Sequence, residues 1–133
     1  MSIFADTSGL YAVFDKNDRY HADAAQKWRA LLATDEAMVT TNYVVGETIA
    51  LLQRRIGFEA SREFVENVLP VLEVEFVNPQ LQNRNLNRYV EQSRRNLSFV
   101  DGVSFELMHA RSIAKAFAFD RHFEEEGFQL LSE

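Results

Sequence analysis

Short apolar runs alternate along this chain with stretches whose apolar residues recur every three or four positions, and that alternation limits the fold more than any other feature. Ile3-Phe4-Ala5 reads as a short buried strand, and Thr7 to Phe14 as a helix entered through Thr7-Ser8. His21 to Leu32 is a second helix, with Ala24, Ala25, Trp28 and Leu31-Leu32 on one stripe. Met38-Val39-Thr40 is a second strand, after which Thr41 or Asn42 caps a long helix through Arg55. Phe58 to Val68 reads as a helix, Val71 to Val77 as a strand, Leu81 to Arg95 as a polar helix, and Ser98 to Ile113 as an apolar-striped one. Ala116 to Phe119 is a strand, Arg121 to Glu125 a helical turn, and Phe128 to Leu131 a last strand. Pro70 and Pro79 punctuate between elements. Strands separated by helices predict a parallel sheet covered on both faces, so the fold class is α/β. With 133 residues and no repeat, linker or low-complexity tract, one domain spanning 1–133 is expected.

Charge narrows the function classes. The net charge of −6 argues against a protein that binds nucleic acid mainly through a basic stripe. It is compatible with an enzyme whose acids hold cations and whose local arginines meet phosphate. Arg54-Arg55, Arg84, Arg88 and Arg94-Arg95 are the candidates, and solvated helix surface is their ordinary role. The absence of cysteine excludes disulfides, thiolate zinc sites and cysteine nucleophiles within this sequence, and fits a reducing cytoplasm. His21, His109 and His122 are far apart, match no close-spaced zinc motif and read as ordinary surface or half-buried residues. No apolar stretch approaches the ~20 residues of a membrane span, and no secretory signal is expected.

Four acids stand at unusual positions. Asp6 follows the first strand, where a helix cap is the local explanation. Glu47, in TTNYVVGETIALLQRR, shares a helical stripe with Val44 and Leu51. Buried alone it would be driven towards its neutral form, whereas an edge position would let its head reach water. Asp101, in NLSFVDGVSFELM, stands three residues after Ser98 in a capping-box arrangement. Asp120 follows AFAF and caps the turn Arg121-His122-Phe123. Each has a local role. Parallel sheets, however, place their sites outside the carboxyl ends of the strands. If the strands ending at Asp6 and Asp120 are parallel neighbours, both acids leave the same sheet edge.

That order resembles the PIN-domain ribonuclease family, and within it the VapC-type toxins of prokaryotic toxin–antitoxin pairs. The likeness rests on FADTSGLYAVFD, TTNYVVGETIALL with Glu47, LSFVDGVSFELM with Asp101 and AFAFDRHFEEEGF with Asp120, and covers nearly the whole chain. It implies a three-layer α/β/α sandwich with a central parallel sheet, and a metal-dependent endoribonuclease. It also implies an RNA substrate, a small cognate antitoxin and a homodimer. Asp6, Glu47, Asp101 and Asp120 match the family's acid positions. Two departures stand out. Gly102 replaces a small residue such as Cys or Ala, and Ala118-Phe119 lacks the Thr that many members place two residues ahead of the last acid. Thr7 or Ser8 is the candidate replacement hydroxyl.

The chemistry needs such a set. Two ionised carboxylates ~4 Å apart repel by ~4 kcal/mol at an effective dielectric of ~20, so several in one pocket require protonation or a cation. Oxygen ligands without Cys or His suit Mg²⁺ or Mn²⁺. Asp6, Asp101 and Asp120 are the expected ligands, direct or through water, and Glu47 is a ligand or a water-orienting base. One alternative is an aspartyl-phosphate phosphotransfer domain. It fits poorly, because Asp6-Thr7-Ser8 lacks the paired acids and Lys115 precedes a strand instead of ending it. Another is a non-catalytic protein-binding module. The aromatic helices around Trp28, Phe58 and Phe64 offer it surface, although a core role explains those residues better.

Overall fold

In a computed structural model, residues 1–92 and 97–131 are described. Arg94 and Arg95, singled out above with the end of their helix, lie outside the described residues. Five strands, β1 (Ser2–Ala5), β2 (Ala37–Thr41), β3 (Glu73–Glu75), β4 (Lys115–Phe117) and β5 (Gln129–Leu130), form one sheet in the order β3-β2-β1-β4-β5. Every pairing is parallel. Seven helices among the described residues flank the sheet: α1 (Thr7–Phe14), α2 (His21–Leu32), α3 (Asn42–Arg55), α4 (Phe58–Glu63), α5 (Pro79–Glu91), α6 (Phe99–Ala110) and α7 (His122–Glu125). Successive side chains of a strand face opposite ways, so the full burial of Ile3, Phe4 and Ala5 in sequence means that both faces are covered. This is the expected α/β/α sandwich.

Local chemistry sets the boundaries. Thr41 is the N-cap of α3, its Oγ1 accepting from Val44 N at 3.1 Å. Asn78 caps α5, with Pro79 at the first helical position where its missing N–H costs nothing. The helix expected over Phe58–Val68 begins as α4 and continues through a π-helical turn, Phe64–Val68, and a 3-10 turn, Leu69–Val71.

Three expectations shift. The strand placed at Val71–Val77 is only Glu73–Glu75, because its partner β2 ends at Thr41, opposite Glu75. Phe76 is left exposed. The helix placed at Ser98–Ile113 starts after its Ser98 cap and stops at Ala110, where Ser112 takes φ 56° and Ile113 N returns to Met108 O at 2.9 Å. That reversal buries Ile113 and leads into β4. The strand placed at Ala116–Phe119 is Lys115–Phe117, since β1 runs out at Ala5, opposite Phe117. Lys115 therefore opens this strand, where the sequence had it precede one.

Trp28 and Phe64 join the core as expected, but Phe58 does not. As the first residue of α4, after Gly57 at φ 143°, it is 64% exposed beside exposed Ile56 and Val65.

Helix α1 lies close enough to β4 that a Cβ on Gly9 would meet the Phe117 carbonyl oxygen at 2.4 Å. A Cβ on Gly46, in α3, would meet nothing within 4 Å. Gly9→Ala should therefore lower unfolding free energy by about 1–3 kcal/mol, the usual cost of overpacking. Gly46→Ala should raise it by about 0.5–1 kcal/mol through helix propensity. Urea denaturation of the two variants checks the pair, and equal stabilities would contradict the packing of α1 on β4.

Candidate active site

The site is built where β1 and β4 end side by side. Phe4 pairs with Ala116 and Ala5 with Phe117, and Asp6 N then donates to Phe117 O at 3.1 Å. Asp6 therefore sits directly beyond its strand, whereas Asp120 follows β4 after an extended link, Ala118-Phe119. Ser8 clasps the two. Its N and Oγ donate to Asp6 Oδ2 at 3.0 and 2.7 Å, and its Oγ accepts from Phe119 N at 2.9 Å. Of the two hydroxyls proposed to replace the missing Thr, Ser8 thus touches an acid. Thr7 instead meets Thr48 Oγ1 at 3.3 Å, tying α1 to α3.

Asp6, Glu47, Asp101 and Asp120 all line one cleft of about 400 Å³. Glu47 comes from α3, half-buried, one turn beyond fully buried Val44. Asp101 comes from the first turn of α6, held by the complete capping box: Asp101 N donates to Ser98 Oγ at 3.0 Å, and Ser98 N to Asp101 Oδ2 at 3.3 Å. Asp120 Oδ1 accepts from His122 N at 2.9 Å. Asp6 and Asp101 take part in real caps, while Asp120 bonds the turn ahead of α7, whose N-cap is Arg121, and these roles coexist with convergence on one cleft.

His122, half-buried as expected, also stands beside these acids. One ligand atom each from Asp101, Asp120 and His122 lie within 4.8 Å of one another. Its Nδ1 is 3.0 Å from Asp120 Oδ1 and 3.9 Å from Asp101 Oδ2. This buried nitrogen nonetheless makes no aligned hydrogen bond. The signal was Asp-Arg-His itself: a side chain two residues beyond a turn-capping Asp folds back beside it. Among the arginines singled out, Arg55 lines the cleft. Arg84 and Arg88 instead reach Glu106 at 3.6 and 3.5 Å, and Arg88 also Glu126 at 3.4 Å. Lys115 stands at the opposite, amino end of β4, which leaves the aspartyl-phosphate reading without its lysine.

Burial dominates the electrostatics. It pushes Asp6 up to about 7, against the lowering effect of the Ser8 hydroxyl, with the Asp101 and Asp120 charges adding to the rise. Asp101 is raised above the ordinary carboxylate range by burial first and by Asp120 second. Close-set carboxylates resisting ionisation, with an unaligned imidazole nitrogen among them, fit a site completed by a divalent cation. His122 adds a nitrogen donor beside the oxygen set expected from sequence.

A parallel α/β sandwich with carboxylates gathered where its central strands end defines an acid-edged class of α/β proteins. Within that class the chain belongs to the PIN-domain family, whose model matches residues 3–128. It is similar to the 23S rRNA-specific endonuclease VapC20 of two Mycobacterium tuberculosis strains, CDC 1551 / Oshkosh and ATCC 25618 / H37Rv. To each it is 35% identical over 127 residues, 95% of both chains. The crystal structure of Mycobacterium tuberculosis VapC20, described as a Sarcin-Ricin loop cleaving toxin, superposes with a TM-score of 0.83 at 34% identity over 96% of each chain.

The raised Asp6 has a consequence for stability without metal. Between its unfolded value of 3.8 and its folded value of about 7, the native state binds a proton that the unfolded state has lost. Stability therefore falls as pH rises through that window, at up to about 1.4 kcal/mol per pH unit. Urea denaturation in EDTA should find the protein more stable at pH 5 than at pH 7, and Asp6→Asn should flatten the difference. An unchanged pH slope in that variant would assign the effect elsewhere.

Proposed function

We propose that this chain, as one PIN domain over 1–133, is a divalent-cation-dependent endoribonuclease that hydrolyses RNA phosphodiester bonds as the toxin of a toxin–antitoxin pair. The carrying observation is that the four carboxylates expected from the sequence, from four separate segments, line one cleft, with Asp18 as a fifth acid in its wall, in a chain of the PIN-domain family. The names of the VapC20 relatives, an rRNA endonuclease and a loop-cleaving toxin, support the same reading.

In this reading Asp6, Asp101 and Asp120 hold Mg²⁺ or Mn²⁺, with His122 as neighbour to the last two. When bound, the cation supplies an acidified water and neutralises charge that builds on the phosphate. The protein's own groups supply position. Ser8 fixes one oxygen of Asp6, and the capping box fixes Asp101. Glu47, arriving from α3, either ligates or accepts the proton of the attacking water.

An antitoxin partner and a homodimer also belong to the proposal. Exposed apolar side chains on the described surface, including Phe58, Val65, Phe76 and Val90, give such partners area to bury. No helix among the described residues is long and apolar enough to cross a membrane. A cytoplasmic location belongs to the toxin reading, which the likeness to an rRNA endonuclease supports.

Asp6→Asn and Asp101→Asn should each lower Mg²⁺- or Mn²⁺-dependent RNA cleavage at least ~100-fold while far-UV CD stays native. Parental rates in either variant would remove that acid from the site. Millimolar Mg²⁺ or Mn²⁺ should raise the melting temperature of the native chain and raise it less in Asp101→Asn. A binding module without a metal site would show no rise in either protein.

A further inference from the structure

The cleft wall is not acidic throughout. Beside Asp120 it includes Phe119 and Tyr20, whose rings stack with centroids 4.6 Å apart and planes 8° from parallel. Both rings are half-buried, and the exposed Arg19 places its guanidinium 4.9 Å over Tyr20. The pair is held by its backbone: Tyr20 N donates to Asp18 Oδ1 at 2.8 Å, and Phe119 N to the Ser8 hydroxyl that also binds Asp6. A platform and a carboxylate thus share one clasp, which fixes the distance between them.

Charge explains why such a platform matters. A chain of net charge −6 gains little from RNA phosphates, and its cleft adds several carboxylates. Stacking does not depend on charge, and each base laid on an aromatic ring contributes binding without a basic groove. Bases inside a duplex have both faces occupied by their neighbours, so a ring in a cleft wall can take only a base that is unpaired.

We propose that the Tyr20–Phe119 stack is a base-binding subsite that takes one unpaired nucleobase of single-stranded RNA, next to the phosphodiester held at the acid cluster. Phe119 covers one face of Tyr20 and Arg19 lies over the ring, so the base takes the place of the Arg19 guanidinium, which swings out to cover the base in turn. The proposal deepens the nuclease reading and rests on it for the identity of the ligand; the binding itself is measurable without catalysis.

The test is fluorescence anisotropy with a labelled, unstructured oligoribonucleotide of about 12 nucleotides in EDTA, where no metal-dependent hydrolysis competes. Tyr20→Leu keeps apolar cover over the core and removes the π-face, so it should weaken binding roughly five- to hundredfold, as loss of one base–aromatic stack does. Tyr20→Phe should stay within about twofold of the native chain, since the stacking face is kept. A perfectly paired RNA duplex should bind the native chain and Tyr20→Leu alike. In cleavage assays with metal, Tyr20→Leu should raise KM and leave kcat close to native. Native affinity in Tyr20→Leu, or no measurable oligonucleotide binding by the native chain, overturns the proposal. Intact Tyr20-dependent binding with no hydrolysis in any metal supports the subsite and overturns the nuclease reading instead.

Discussion

Two strands more than a hundred residues apart pair in parallel, Phe4 opposite Ala116, and the cleft follows from that register. Because the pairing ends with Ala5 opposite Phe117, the next residues on each chain leave the sheet together, and both carry an aspartate nearby. A parallel sheet alone would let the two loops diverge. Ser8 prevents that by donating to Asp6 while accepting from the backbone of Phe119. One hydroxyl, from the first turn of α1, therefore joins Asp6 to the backbone one residue ahead of Asp120. Below it, Thr40 Oγ1 donates to Ala5 O at 2.7 Å, fixing the end of β1 from the β2 side as well.

Three of the acids are affordable because each is also a local structural residue. Asp6 caps α1, Asp101 completes a capping box, and Asp120 bonds the turn that leads into α7. Hydrogen bonds from backbone N–H groups to a carboxylate hold it in position and favour its charged form. They oppose, without cancelling, the burial that raises Asp6 and Asp101. The residual misfit is electrostatic strain within a well-ordered frame. In the proposed reading a divalent cation would relieve it, while the caps already hold Asp6 and Asp101 in place.

Much of this was legible in the sequence, for identifiable reasons. The parallel α/β layout followed from apolar runs alternating with helical stripes, and the four acids stood out because each interrupted a pattern. Strand ends were harder to read. Val71–Val77 and Ala116–Phe119 alternate well beyond the residues that pair, because a strand stops where its neighbour stops, and the neighbour is remote in sequence. Phe58 looked like core because it is a large aromatic in an aromatic-rich helix, yet as the first residue of α4, after Gly57 at φ 143°, it stays exposed. His122 was missed because no second histidine stands near it in sequence. Its partners are Asp120, two residues away, and Asp101, which only the fold brings within 3.9 Å. The cap and the ligand were treated as rival explanations of the same acids, and the geometry permits both.

An acidic chain that handles a polyanion must solve the problem locally. The net charge of −6 repels phosphate at long range, and screening confines that repulsion to about 8 Å at physiological salt. Inside that distance the cleft offers three things: acids proposed to hold a cation, Arg55 on the wall, and stacked rings beside Asp120. Two of these carry or recruit positive charge and the third needs none. Most of the other arginines in described positions around the fold are already committed, Arg84 and Arg88 to Glu106 and Arg111 to Glu73 and Glu75 at 3.1 and 3.2 Å. Tying cations to acids elsewhere on the surface leaves little for duplex RNA to grip. In the proposed reading recognition is thereby concentrated at one short stretch of strand, where an unpaired base would meet the rings and a phosphate the acids.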